Sequence, residues 1–338
     1  MDTKVPKDRR YRAGTSSHRR LQAETAGAGR YTSCPSVPVT MAGMSVLPSG
    51  EQWTLHAGGY AATVVSVGGG LRGLTYGGRE VLLGYGEDEP APAGMGQHLF
   101  PWPNRVTDGK YTFEGVDEQL DLTEPDRQNA IHGLTRWANW ERLDDGTDPA
   151  LVEVGHRLHS QPGYPHQLDL RLTYHLADGL TVTATATNVG TSNAPYGYGT
   201  HPYLSVGRLI DECVLEFRAA EWLEVSPERM TPIGLSPVAG SPYDFQQARI
   251  IGDLELDNAF TGLGGSQWSV TLTDPDSGNR SVLTSDTPWL QVYTGGAVGR
   301  TALAVEPMTC PPNAFITGQN LVVLKPGDSH TTRFTVSV

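Results

Sequence analysis

The sequence predicts an all-β fold, a large antiparallel β-sandwich, on three observations. Apolar and polar residues alternate with a period of two in several segments, and turn residues separate those segments. No amphipathic helix longer than about three turns can be traced. Glycine (40) and proline (24) exceed average usage in a chain of 338 residues, as a turn-rich chain requires. A period of two sends alternate side chains to opposite faces, so each strand needs one apolar surface to cover, and stacked sheets supply it.

In chain order, Tyr60–Val67 opens the series. Leu168–Leu176 (LDLRLTYHL) and Leu180–Asn188 (LTVTATATN) form a hairpin around Ala177-Asp178-Gly179, where Asp-Gly turn chemistry stands at the right place. Cys213–Phe217 is a short strand. Trp268–Thr273 and Ser281–Thr284 pair across Asp274-Pro275-Asp276-Ser277-Gly278. The run Ala302-Leu303-Ala304-Val305 leads into Glu306, with Pro307, Pro311 and Pro312 expected to stop regular structure after it. Arg333–Val338 closes the chain as a strand. No internal repeat and no Pro- or Ser-rich linker divides these elements, so residues 45–338 are expected to form a single domain.

Residues 1–40 read differently. They carry eight Lys/Arg against Asp2, Asp8 and Glu24, and removing this +5 from the overall −12 leaves the body at −17. Such a body is a poor partner for nucleic acid or an anionic membrane. The basic segment is expected to be a disordered extension without function, with Met41 or Met44 as natural beginnings; an arm that binds something acidic is the alternative. It lacks the apolar stretch of a secretory signal, and no run of about 18 apolar residues could span a bilayer. Cys34, Cys213 and Cys310 are few, odd in number and far apart, which suggests a reducing, cytoplasmic setting. Neither a monomer nor a dimer is favoured.

Chemistry-bearing residues fall in a few short motifs. Glu306 ends an apolar run just before a Pro-rich loop; locally, a solvated strand-end glutamate competes with a site residue. His201 lies in Ala194–Leu204 (APYGYGTHPYL), amid Tyr196, Tyr198 and Tyr203, and Pro202 holds it extended. Aromatics interleaved with glycine suit a flat amphipathic ligand such as a sugar ring. His132 stands in NAIHGL with Trp137 and Trp140 behind it. Arg105 follows Trp102 and Asn104 in LFPWPNRVTDG and offers a rigid fork of donors. Asp257 sits in LELDNAF, where a turn-forming aspartate is the competing reading. His156 and His159 have no third metal ligand nearby and read as surface-strand residues. No nucleophile elbow or phosphate loop is present. A set made of histidine and carboxylate, with no cofactor or metal site, points to acid–base chemistry.

Five blocks together resemble the aldose 1-epimerase (galactose mutarotase) family: Phe100–Gly115 (FPWPNRVTDGKYTFEG), Asn129–Leu134 (NAIHGL), Tyr198–Leu204 (YGTHPYL), Leu256–Phe260 (LDNAF) and Val305–Phe315 (VEPMTCPPNAF). They occur in the family's order and cover most of residues 45–338. The resemblance implies the galactose mutarotase-like supersandwich and interconversion of the α and β anomers of a free aldohexose such as glucose or galactose. By the same resemblance Glu306 is the general base at the C1 hydroxyl and His201 the general acid at the ring oxygen. Arg105, His132, Asp257, Asn104 and Tyr203 are implied as substrate contacts, with Trp102 lining or packing nearby. Ordinary pKa values would make the glutamate ionised and the histidine partly protonated near neutrality. Three alternatives stay open: a relative acting on hexose 6-phosphates, which would need extra cations; a glycosidase using Asp257 and Glu306; and a binding module without catalysis.

Overall fold

The computed structural model describes residues 46–338; the basic segment 1–40 lies outside the described residues. Two large antiparallel sheets enclose one apolar core. The first runs, in spatial order, Gln52–Ala57, Tyr60–Val65, Leu71–Tyr76, Arg79–Leu82, Tyr203–Leu204, Leu303–Met308, Trp289–Tyr293, Asp257–Thr261, Glu221–Val225 and Pro232–Pro237. Gly199–Thr200 pairs with Leu303–Met308, and His98–Leu99 pairs with Gly199–Thr200. The second sheet runs Glu141–Arg142, Leu151–Leu158, Leu168–Leu176, Leu180–Asn188, Ser329–Ser337, Arg280–Ser285, Trp268–Thr273, Val214–Phe217 and Arg249–Ile250.

The alternating segments fold as their period requires. In Leu168–Leu176 every second residue from Leu168 is buried, and the hairpin register pairs Leu168 with Asn188 and Leu176 with Leu180. Leu172, Val182 and Leu283 from the second sheet share one core with Val64, Leu74 and Leu290 from the first. Leu172 is fully buried and is paired on both sides, with Val154 and Ala184. Leu172→Ala is therefore expected to cost about 2–5 kcal/mol through lost burial and a residual cavity. Urea unfolding should show a lower midpoint with an unchanged slope.

The Glu306 strand differs from expectation. It continues through Pro307 to Met308 instead of stopping at the proline. On one side it pairs with Trp289–Tyr293 along its length. On the other it pairs with Tyr203–Leu204 and with Gly199, but the neighbouring chain is irregular at His201–Pro202. On that side the pairing passes from Ala304 to Met308, and Pro307 falls in the unpaired stretch between them, where its missing N–H breaks no ladder. The closing strand is also longer than expected, Ser329–Ser337, because His330 to Thr332 continue the ladder along Thr185, Ala186 and Ala184.

Candidate active site

The site is built on one face of the first sheet, and strand register assembles it. Tyr203 pairs with Ala304, and Gly199 with Met308; the same register sets His201 opposite Glu306. Residues at opposite positions of an antiparallel pair project to the same face. The His201 Nε2 and Glu306 Oε1 atoms accordingly stand 3.3 Å apart. On the other side of the Glu306 strand, Gln291 pairs with Glu306, and its Nε2 donates to Asp257 Oδ1 at 2.6 Å. His201, Glu306, Gln291 and Asp257 thus form a row across adjacent strands.

Glu306 is 2% exposed and His201 6%, so the solvated strand-end reading of Glu306 is wrong. Burial moves both groups toward their neutral forms. Glu306 is held well above the ordinary carboxylate range by desolvation and then by the nearby charge of Asp257, against the pull of Arg105. His201 is pushed down to about 3 by desolvation, which the cation of Arg136 reinforces. Both shifts favour the neutral forms, Glu306 with its proton and His201 without one. This reverses the ionisation that ordinary pKa values suggest, yet the pair still holds a single proton. Glu306 Oε2 and His201 Nδ1 are buried without hydrogen-bond partners. An orphaned buried acceptor is costly, and a ligand rich in hydroxyl donors would satisfy it.

His132 joins this pair. Its ring meets that of His201 edge-on at 5.6 Å between centroids, and its Nδ1 also lacks a partner. Burial, with Arg136 next, holds His132 well below the ordinary histidine value, so it too is neutral. The backbone there is specialised: His132 has φ +64° and Gly133 φ +69°. A Cβ on Gly133 would fall 2.0 Å from the Phe100 carbonyl oxygen, so glycine alone lets the chain present His132. The His132 N–H donates to the Asn104 carbonyl at 2.9 Å.

Arg105 is 7% exposed, not a surface arginine. Its fork is largely occupied: Nε and Nη2 donate to the two oxygens of Glu124 at 2.8 and 3.0 Å. That ion pair, with Asn129 and Arg127 also on Glu124, pulls the Glu124 carboxyl down to about 2 despite burial. Asn104 Oδ1 accepts from the Arg105 backbone N–H at 2.9 Å, so Asn104 orients Arg105 from a left-handed turn at φ +52°. Arg105 interacts electrostatically with Asp257 and Glu306, which brings it to the same site.

Tyr203 and Trp102 are held by other protein groups. The Tyr203 ring stacks on His201 at 5.1 Å and its hydroxyl donates to the Ala93 carbonyl at 3.0 Å. It is 1% exposed, so it braces the imidazole. Trp102 is 2% exposed and packs edge-on against Phe315 at 5.5 Å, a core role. Gly94 leaves room on the imidazole's other edge, where a Cβ would come 3.2 Å from His201 Cδ2.

Four residues escaped the sequence reading. Glu124 and Gln291 hold the two charged partners already described. Gln97 accepts the His201 N–H on its carbonyl at 3.0 Å, and its side-chain amide donates to the Arg136 carbonyl at 3.2 Å. Arg136 extends a guanidinium toward Gln97 Oε1 at 3.5 Å and lies 5.8 Å from the Trp137 ring centroid. Among the described residues no carboxylate pairs with Arg136, and burial lowers its pKa.

The aldose 1-epimerase family model matches residues 51–337. This chain belongs to the aldose 1-epimerase family. Escherichia coli YihR is 36% identical over 291 residues, 85% of this chain and 93% of YihR. The aldose 1-epimerase of Escherichia coli is 25% identical over 246 residues, 66% of this chain and 70% of that enzyme. The crystal structure of a GalM/aldose epimerase homologue from Caenorhabditis elegans shares the fold at a TM-score of 0.76, with 21% identity, over 85% of this chain and 98% of that one. The all-β supersandwich expected from the sequence is thereby established.

Proposed function

We propose that this protein is an aldose 1-epimerase that interconverts the α and β anomers of a free aldohexose through Glu306 and His201. The observation that carries the reading is the buried pair at 3.3 Å. Opening a hemiacetal takes a proton from O1 and delivers one to the ring oxygen O5, and both oxygens are bonded to C1. An acid and a base serving two oxygens of one carbon must be neighbours, and here they are.

A sugar whose hydroxyls donate to Glu306 Oε2 stabilises the carboxylate, and the pair's proton then resides on His201. Glu306 removes the O1 proton as His201 protonates O5. The C1–O5 bond breaks and the aldehyde forms at C1. Rotation about C1–C2 presents the other carbonyl face, and the reverse transfers close the ring. His132 and Arg105 Nη1, which otherwise reaches Asn104 Oδ1 at 3.5 Å, hydrogen-bond sugar oxygens, and Asp257, tied to Gln291, takes hydroxyl protons. Polarimetry of freshly dissolved α-D-glucose and α-D-galactose tests the activity. The expected result is an enzyme-dependent rate well above spontaneous mutarotation; no acceleration with any aldose would refute it.

Arg136 favours a second reading, in which the aldose carries an anionic group such as a 6-phosphate. A half-buried guanidinium without a carboxylate is costly, and an anion beside it would relieve that cost. The sequence marked no such cation, because the body is acidic overall and Arg136 stands alone in LTRWANW. If an anion docks there, Arg136→Met lowers kcat/KM for glucose 6-phosphate about 10–100-fold, the worth of one hydrogen bond to a charged group. Its rate on glucose should stay within a few-fold of the unsubstituted protein.

A further inference from the structure

His98 is a fully buried imidazole that the proposed reaction does not use. Its Nδ1 lies 2.9 Å from the Tyr198 hydroxyl and its Nε2 lies 2.7 Å from the Tyr174 hydroxyl. The Tyr174 hydroxyl also donates to the Gly69 carbonyl, which can only accept. Its single proton is therefore committed, and it must accept from His98 Nε2–H. His98 Nδ1 is then the acceptor of the Tyr198 O–H. One tautomer alone satisfies the whole chain, from Tyr198 through His98 and Tyr174 to Gly69.

The chain crosses the sandwich. Tyr174 belongs to Leu168–Leu176 of the second sheet, whereas His98–Leu99 pairs with Gly199–Thr200 of the first. In that register His98 faces Thr200, the residue before His201. The surrounding backbone grips His201 directly: its N–H donates to the Gln97 carbonyl and its carbonyl accepts from Gly96 N–H at 2.9 Å. Tyr198, three residues before His201, is also tied to the Glu306 strand's continuation, its N–H donating to Thr309 Oγ1 at 2.8 Å. Phenylalanine of similar volume could fill this place among Tyr174, Tyr198 and Phe334 without any polar group to satisfy. A fully satisfied buried network instead fixes a single arrangement.

We propose that His98 is a positioning residue: in its Nε2–H tautomer it locks the His201 segment to the opposite sheet and so sets the imidazole of His201 against Glu306. This rests on His201 being the proton donor. Among the described residues the His201 side chain has no hydrogen-bond partner besides the Glu306 contact, so its place depends on its backbone and on Tyr203. A shift of the Gly199–Thr200 strand moves the donor relative to O5, and small misplacements of a reacting group cost rate far more than binding.

The test compares His98→Phe, His98→Gln and Tyr198→Phe in the full chain, each checked for a native circular dichroism spectrum. His98→Phe should lower kcat about 10–100-fold with KM within about threefold, since the substrate contacts stay in place. His98→Gln, whose amide can donate and accept along the same chain, should recover most of that loss. A folded His98→Phe with unchanged kcat overturns the proposal. Where that variant fails to fold, Tyr198→Phe carries the same prediction with the loss of one oxygen. Nitrogen-15 NMR of labelled histidine should show His98 protonated at Nε2 and bare at Nδ1; the opposite tautomer overturns the proposal. The His201 nitrogen resonances should shift in Tyr198→Phe, and this reads the coupling without any sugar. Should the unsubstituted protein accelerate no anomer exchange, the assigned activity falls, and the His201 resonances alone decide the structural link.

Discussion

Glu306→Gln is expected to reduce kcat by about three powers of ten or more, because the amide can neither take the O1 proton nor return it. KM should change little, since glutamine retains a carbonyl oxygen to accept a sugar hydroxyl. The same substitution should stabilise the fold near neutral pH. Glu306 holds its proton in the folded chain above the ordinary carboxylate value, so the unfolded chain binds fewer protons there. Stability consequently falls as pH rises from the unfolded value of about 4.5 toward the raised folded one. Glutamine has no such term. The urea midpoint of Glu306→Gln should therefore exceed that of the unsubstituted protein at pH 7 and converge with it in acid. A buried acid kept at the cost of stability is what a working site, as opposed to a structural glutamate, would retain.

His201→Asn is expected to lower kcat by about two to four powers of ten, the usual worth of one positioned proton transfer. The amide keeps the shape of a donor but has no proton to give. The pH dependence of the unsubstituted protein carries a sharper signature. With His201 held down to about 3 and Glu306 held up, the pair carries one proton across the whole interval between those values. The acid limb of the rate should then lie near 3, below the ordinary carboxylate value of 4.5. It falls in acid only as the pair gains a second proton, and in base as Glu306 loses its own. An acid limb at the ordinary carboxylate value would mean that Glu306 titrates independently, and the shared-proton picture would fail.

The alternation of LDLRLTYHL and LTVTATATN gave away the sheets, because a period of two has one physical meaning in a half-buried strand. Glu306 and His201 were visible as unusual residues in unusual loops, and the family motifs gave them roles. Their pairing was not visible. It depends on Gly199–Leu204 lying beside Leu303–Met308, segments about a hundred residues apart whose register no local pattern states. Pro307 misled for a related reason: a proline ends a strand only if its missing N–H is needed, and here it falls between Ala304 and Met308, in the stretch that the neighbouring strands leave unpaired. Glu124 was hidden because LTEPDR has neither period nor apolar flank, although it decides how much of the Arg105 fork remains free. His98 and Arg136 look ordinary in sequence; only their surroundings mark them. Asn104 and Tyr203, expected as substrate contacts, brace Arg105 and His201.

Glu306 and His201 are expected to act as one unit on the anomeric centre. Exchange NMR on an equilibrated aldose reads that step directly, as magnetisation passing between the α and β C1 protons with no net reaction. The unsubstituted protein should raise the exchange rate well above the spontaneous one. Glu306→Gln and His201→Asn should each remove most of the gain, and the double variant should be no slower than the worse single variant, as members of a unit behave. Independent, multiplicative losses, or no acceleration by the unsubstituted protein, would contradict the claim.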